Sequence, residues 1–112
     1  MDVPSNMRNY FLAILYEGPT PLERGTPEQR ELQARHLTYN KRCVEQGGLK
    51  AYGPLTDGGE ILAISVYDLP SAEEVRAMLA EDPAFISGQF RADVHPLFWP
   101  SLEGMRVEFA AD

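Results

Sequence analysis

From Asn9 to Tyr16 the chain reads NYFLAILY, with no polar side chain between Asn9 and the Tyr16 hydroxyl except that of Tyr10. Apolar residues at both parities predict a strand covered on both faces. Glu17 to Gly25 holds two prolines and two glycines and reads as a loop. A helix follows, with Thr26 as N-cap, Pro27 at its first position and Gln29 completing a T-x-x-Q capping box. It should run to about Gln46 and stop at Gly47-Gly48. Leu32, His36, Tyr39 and Cys43 fall on one face at spacings of 4, 3 and 4, with Leu37 and Val44 widening it. Glu28, Glu31, Arg35 and Lys41 take the solvent side. Two strands, Leu49–Leu55 and Glu60–Tyr67, flank Thr56-Asp57-Gly58-Gly59, whose Asp-Gly pair is a hairpin signal. A second helix starts at Ser71, boxed by Glu74, and buries Val75, Met78 and Leu79. Asp82-Pro83 ends it, because a residue before proline resists the helical region, and a short turn spans Ala84 to Gly88. In the last strand, Gln89 to about Trp99, Phe90, Ala92 and Val94 alternate with Arg91, Asp93 and His95.

The order β-α-β-β-α-β predicts an α+β fold of ferredoxin-like type with an antiparallel four-stranded sheet. In it the first and third strands are central, and these are the two that are apolar on nearly every position of both faces. The second and fourth are edges, and these carry Pro54 and Pro96, as edge strands can. Both helices cover one face of such a sheet, so one apolar parity of the central strands is left over. This predicts a homodimer packed sheet against sheet, the alternative being that the tail after Trp99 folds back over that face. Residues 1–8 read as a leader, 9–103 as a single domain and 104–112 as a C-terminal tail.

The length of 112 residues fits one domain, and 44% hydrophobic content excludes intrinsic disorder. A net charge of −7 argues against nucleic acid and anionic lipid as partners. The longest uninterrupted apolar run, Phe11 to Tyr16, is far short of a membrane span. No signal-peptide pattern opens the chain, so cytoplasmic residence is the expectation. The single cysteine, Cys43, excludes a disulfide framework and a cysteine-rich zinc site. On the apolar helix face it reads as an inert thiol.

The chemistry-bearing types are few. His36 lies on the buried stripe, where an imidazole must satisfy a donor and an acceptor. It is either a core histidine bonded to a carbonyl or tyrosine, or a general base in a cleft between helix and sheet. Asp82 is its natural carboxylate partner. Its local alternative is a helix-ending Asp-Pro turn, although a carboxylate at a helix C-terminus opposes the helix dipole. Tyr39 shares the histidine's face. Gly53-Pro54 either protects a sheet edge or leaves space for a ligand. His36, Cys43, Asp93 and His95 are metal-ligand types, but no ligand spacing occurs and no metal is expected. Nor is there a phosphate-cradling glycine loop or a nucleophile-elbow serine. Arg91, Asp93 and His95 share a face that reads as a solvated edge, with a cleft or dimer groove as the alternative.

Arg35-His36-Leu37, then Gly53-Pro54, then Asp82-Pro83-x-Phe85 with Gly88, and a closing strand with Val94-x-Pro96 and an aromatic resemble the YciI-like (YCII-related) family. The resemblance spans about residues 9–99. It implies a ferredoxin-like fold paired into a dimeric α/β barrel, and a cleft with a histidine–aspartate pair at His36 and Asp82. Gly53 and Pro54 match the family's pocket-shaping Gly-Pro, and Tyr39 and Phe85 join them as expected substrate contacts. A characterised branch eliminates chloride from chlorinated hydroxyhydroquinones, and related dimeric barrels include muconolactone isomerases and small monooxygenases. The leader and the loop Glu17–Gly25 depart from the compact members, and the prolines of that loop are expected to shape the pocket mouth. The combined expectation is a small enzyme that needs no cofactor. His36 would move a proton on a small organic molecule, aromatic or a lactone, in an elimination or isomerisation, with Asp82 orienting it. The alternatives are a dimeric module that binds such a ligand without turnover, and a purely structural domain.

Overall fold

A computed structural model describes residues 5–109. The elements are β1 (Met7–Glu17), α1 (Pro27–Gln46), β2 (Leu49–Pro54), β3 (Ala63–Tyr67), α2 (Ala72–Ala80), α3 (Pro83–Ile86) and β4 (Phe90–Pro100). All strand pairs are antiparallel, in the order β2-β3-β1-β4. This is the ferredoxin-like arrangement, with the two predominantly apolar strands in the centre and both proline-bearing strands at the edges.

The helix ends follow local chemistry. The Thr26 hydroxyl accepts from the Gln29 amide at 3.2 Å. The Gln29 side chain reaches back to the Gly25 amide at 3.4 Å, one residue before the position a reciprocal box would use. Gly47 ends α1 in the left-handed region at φ 98°, its amide reaching the carbonyls of Cys43 and Val44. Ser71 caps α2 through the Glu74 amide at 3.2 Å.

Three boundaries differ from the expected ones. β1 starts at Met7, inside the expected leader, because β4 runs far enough to pair Met7 with Pro100 and Arg8 with Trp99; residues 1–4 lie outside the described residues. β3 starts at Ala63 rather than Glu60. The Leu55 amide bonds the Leu62 carbonyl at 2.9 Å, so the Asp-Gly turn sits inside a wider loop, pinned by the Asp57 carboxylate on the Gly59 amide at 3.2 Å. The expected turn after Pro83 contains α3, a single helical turn.

Register divides the sheet into two faces. Phe11, Ala13 and Leu15 of β1 share a side with Ser65 and Tyr67 of β3, Leu49 of β2, and Phe90, Ala92 and Val94 of β4. Tyr39 and Cys43 of α1 and Val75 and Leu79 of α2 pack on this side to form the core. The other side carries Tyr10, Leu12, Ile14 and Tyr16 beside Ile64 and Val66, and Arg91, Asp93 and His95 of β4. The chain after β4 returns to one end of this side. The Leu102 amide donates to the Tyr10 hydroxyl of this side at 2.6 Å, and farther along the tail Phe109 lies 5.3 Å from the Lys41 ammonium of α1, which belongs to the helix layer. Tyr10 and Val66 are buried, whereas Ile64 is 39% exposed. The tail thus covers part of the second face within one chain, and Leu12, Ile14, Tyr16 and Ile64 remain at least partly open.

Candidate functional site

A cavity of about 320 Å³ lies between α1 and the sheet. Leu15, Tyr52, Leu62, Ala63, Leu79, Phe85 and Phe90 make most of its wall apolar. A site of about 150 Å³ already holds benzene, so this one has room for a substituted ring.

α1 delivers His36, 8% exposed, to the cavity wall. Its Nδ1 lies 2.6 Å from Asp82 Oδ2. A carboxylate only accepts, so Nδ1 carries the proton and Nε2 of the neutral ring presents a lone pair. That lone pair receives the Asn40 side-chain amide at 3.3 Å. The ring is also braced by an edge contact with Phe90, centroids 5.3 Å apart, and Phe90 meets Phe85 in the same way at 6.3 Å.

Asp82, 1% exposed, is held by the backbone around it. Its amide bonds the Leu79 carbonyl at 3.0 Å, closing α2, and its Oδ1 accepts from the Ala84 amide at 2.9 Å, capping α3. This corrects the expectation of a carboxylate set against a helix dipole. Asp82 is the N-cap of the next helix, a position that stabilises a carboxylate, and one oxygen caps while the other holds the imidazole. A chain that needs a rigid carboxylate opposite His36 obtains it by ending one helix and starting another at the same residue.

The remaining expected contacts divide. Phe85, Gly53 and Pro54 line the cavity with His36 and Asp82. Gly53 pairs with Ile64, so strand alternation places its missing side chain on the face away from the helices, and it contributes backbone only. A Cβ there would meet nothing within 4 Å. Tyr39 is not among the lining residues. Its hydroxyl donates to the Met78 carbonyl at 2.5 Å, joining α1 to α2, and burial raises its pKa. The sheet supplies the polar groups instead: Ser65, Tyr67 and Tyr52. Asn40 stands four residues after His36 on the same stripe, a spacing that could have picked it out. Ser65 and Tyr67 carry the weaker signal of two hydroxyls at alternate positions of an otherwise apolar strand. Cys43 is 2% exposed, and burial raises its thiol pKa, in keeping with the inert role expected of it. No group of three or more metal-ligating side chains occurs among the described residues.

The loop from β1 to α1 roofs the mouth with Pro21 and Leu22. It is bound to the turn before β4 by Gly18 amide to Gln89 carbonyl at 2.8 Å, Thr20 amide to Gly88 carbonyl at 3.0 Å, Thr20 hydroxyl to Ser87 carbonyl at 2.7 Å and Leu22 amide to Gln89 Oε1 at 2.7 Å. A Cβ on Gly18 or Gly88 would collide with the opposite segment, and Gly88 has φ +85°. Two glycines at one crossing let the backbones approach this closely.

No curated protein matches the sequence. Among solved structures, the chain is similar to 5-chloro-2-hydroxyhydroquinone dehydrochlorinase (TftG) from Burkholderia phenoliruptrix AC1100, in complex with 2,5-dihydroxybenzoquinone. The TM-score is 0.56 at 20% identity, over 77% of this chain and 90% of that one. That likeness supports the fold. The profile of the YCII-related domain matches residues 10–95, which include every strand-borne and helix-borne group of the cavity. With that match running from within β1 into β4, the chain belongs to the YCII-related domain family.

Proposed function

We propose that this protein acts on a small oxygen-substituted ring compound, with His36 as general base, in an elimination or isomerisation that needs no cofactor. One observation carries the reading: Asp82 Oδ2 lies 2.6 Å from Nδ1 of a buried, cavity-lining imidazole, an arrangement that favours the Nδ1–H tautomer and leaves the Nε2 lone pair, resting on the Asn40 amide, for a substrate in a cavity of ring size. A placed base contributes about 10²–10⁴-fold, enough for a C–H bond activated by a neighbouring carbonyl. The 2,5-dihydroxybenzoquinone of the structural neighbour has the size and oxygen pattern such a cavity accepts. The working form in this reading is a cytoplasmic homodimer, joined through the sheet face that the tail leaves open.

The test is a binding and turnover screen of hydroxylated aromatics, quinones and lactones on the wild type and His36→Ala. The wild type should bind at least one class and convert it, and His36→Ala should retain the fold and lose at least 10²-fold in turnover. Unchanged turnover in the variant would remove His36 from the mechanism. A second reading has its own support: Asn40 occupies the Nε2 lone pair, as suits a module that binds a ligand without proton transfer. Under it, ligands bind, no product forms, and His36→Ala weakens binding only.

A further inference from the structure

Opposite α1, the cavity floor holds two hydroxyls from one strand. Ser65 is 5% exposed and Tyr67 3% exposed, and both line the cavity. They project from alternate positions of β3 on the helix side of the sheet. The Ser65 hydroxyl donates to the Tyr67 oxygen at 3.2 Å, and among the described residues neither makes another hydrogen bond. The pair therefore has two O–H protons and a single bond between them. Whichever hydroxyl donates to the other, one O–H is left over.

Both hydroxyls line the cavity, so the surplus O–H is available to an acceptor bound there. The cavity's other polar side chains include the His36–Asp82 pair with Asn40 and the Tyr52 hydroxyl, and Leu15, Ala63, Leu79 and Phe90 supply apolar wall. Burial pushes the Tyr67 hydroxyl up to about 12, so it keeps its proton at neutral pH.

We propose that Ser65 and Tyr67 form a donor subsite for a carbonyl oxygen, which narrows the substrate to small cyclic ketones or lactones with a C–H bond beside the carbonyl. The inference rests on the cavity being the ligand site, as proposed above. It supplies the second pole that proton abstraction requires. When Nε2 of His36 takes the proton from the carbon beside the carbonyl, the C–H bond breaks and an N–H bond forms. The electron pair enters the carbon–carbon bond, and the carbonyl π pair moves onto oxygen. The surplus O–H faces that enolate oxygen, where a fixed donor stabilises the developing charge.

Cyclohexanone and methylenecyclohexane separate this subsite from the rest of the cavity. They have the same shape, and the ketone oxygen only accepts, so it gains nothing from the Nε2 lone pair. Dissociation constants for both are measured by NMR on the wild type, Tyr67→Phe, Ser65→Ala and the double variant Ser65→Ala/Tyr67→Phe. The preference for ketone over alkene should fall by about 3- to 10-fold in the double variant, the worth of one net hydrogen bond, while methylenecyclohexane affinity changes little. Each single variant keeps one O–H free to donate and should reduce the preference less; Ser65→Val/Tyr67→Phe stands in if the alanine double variant does not fold. If both probes bind and the preference stays within twofold in the folded double variant, the subsite is overturned and the cavity reading survives. If neither probe binds the wild type at millimolar concentrations, both are overturned.

Discussion

Asp82 sets the protonation of the site through two oxygens with separate tasks. Asp82→Asn keeps an oxygen for the Ala84 amide and must then turn its NH2 toward His36, making Nδ1 the acceptor and moving the proton to Nε2. The variant should fold with little loss, since Asn is as good a cap as Asp. Its 15N histidine spectrum should show the opposite tautomer, and any turnover should fall by about 10²–10⁴-fold. An unchanged tautomer would mean that the 2.6 Å contact does not direct the proton. Burial also gives the protein an alkaline limit. Tyr67 titrates at about 12 when folded against an ordinary 10, so between those values the folded state binds the proton that the unfolded state has lost, and stability falls as pH rises. Cys43 acts in the same direction from its ordinary 9 upward. Urea midpoints should be insensitive to these groups below pH 9 and decline above it, with a shallower fall over pH 10–12 in Tyr67→Phe.

At the level of elements, the cavity depends on a crossing rather than on a helix or strand. The β1–α1 loop has no regular structure, yet four hydrogen bonds bind it to the turn between α3 and β4. Gly88→Ala adds a methyl where Thr20 stands and imposes a left-handed φ on a residue with a Cβ. The cost should be about 1–3 kcal/mol. It should appear first as local opening: faster amide exchange at Gly18, Thr20 and Leu22 with β1 and β3 still protected, and weaker ligand binding. Global destabilisation without that local signature would show that the crossing is part of the core and not a separable roof.

For the whole molecule, the unresolved contest in the sequence was over the second face of the sheet. The tail takes the end at Tyr10, and Leu12, Ile14 and Tyr16 remain beside Ile64 and the charged row of β4. That row contains both signs, Arg91 and Asp93, with Arg91 lying 4.5 Å over Tyr16. A two-fold axis through such a face can oppose each charge to its complement. We expect a dimer by light scattering at micromolar concentrations. Ile14→Glu, which adds a carboxylate beside Asp93 at the centre of the face, should give a folded monomer. A monomeric wild type would leave the tail as the only cover and remove the sheet-to-sheet pairing.

Much of this was legible in the chain because local rules set it. The 3.6-residue stripe of α1, the caps at Thr26 and Ser71, the clean alternation of β4 and the choice of central strands all depend on near neighbours. His36 and Asp82 could be singled out because one lies on a buried stripe and the other precedes a proline. What they do to each other could not be read, since 46 positions separate them and only the packing of α3 against α1 sets their distance. For the same reason Tyr39 looked like a cavity residue: periodicity gives the face of a helix, whereas α2 decides where along that face a hydroxyl finds its acceptor. Ser65, Tyr67 and the glycine crossing became visible only once strands distant in sequence were side by side. The sequence by itself determined the strands, the two longer helices, their order and most of the buried stripe of α1, although Leu37, expected to widen that stripe, is 45% exposed and Asn40 is buried. Tertiary structure decided which of those side chains share one cavity, because that depends on contacts whose partners are far apart along the chain.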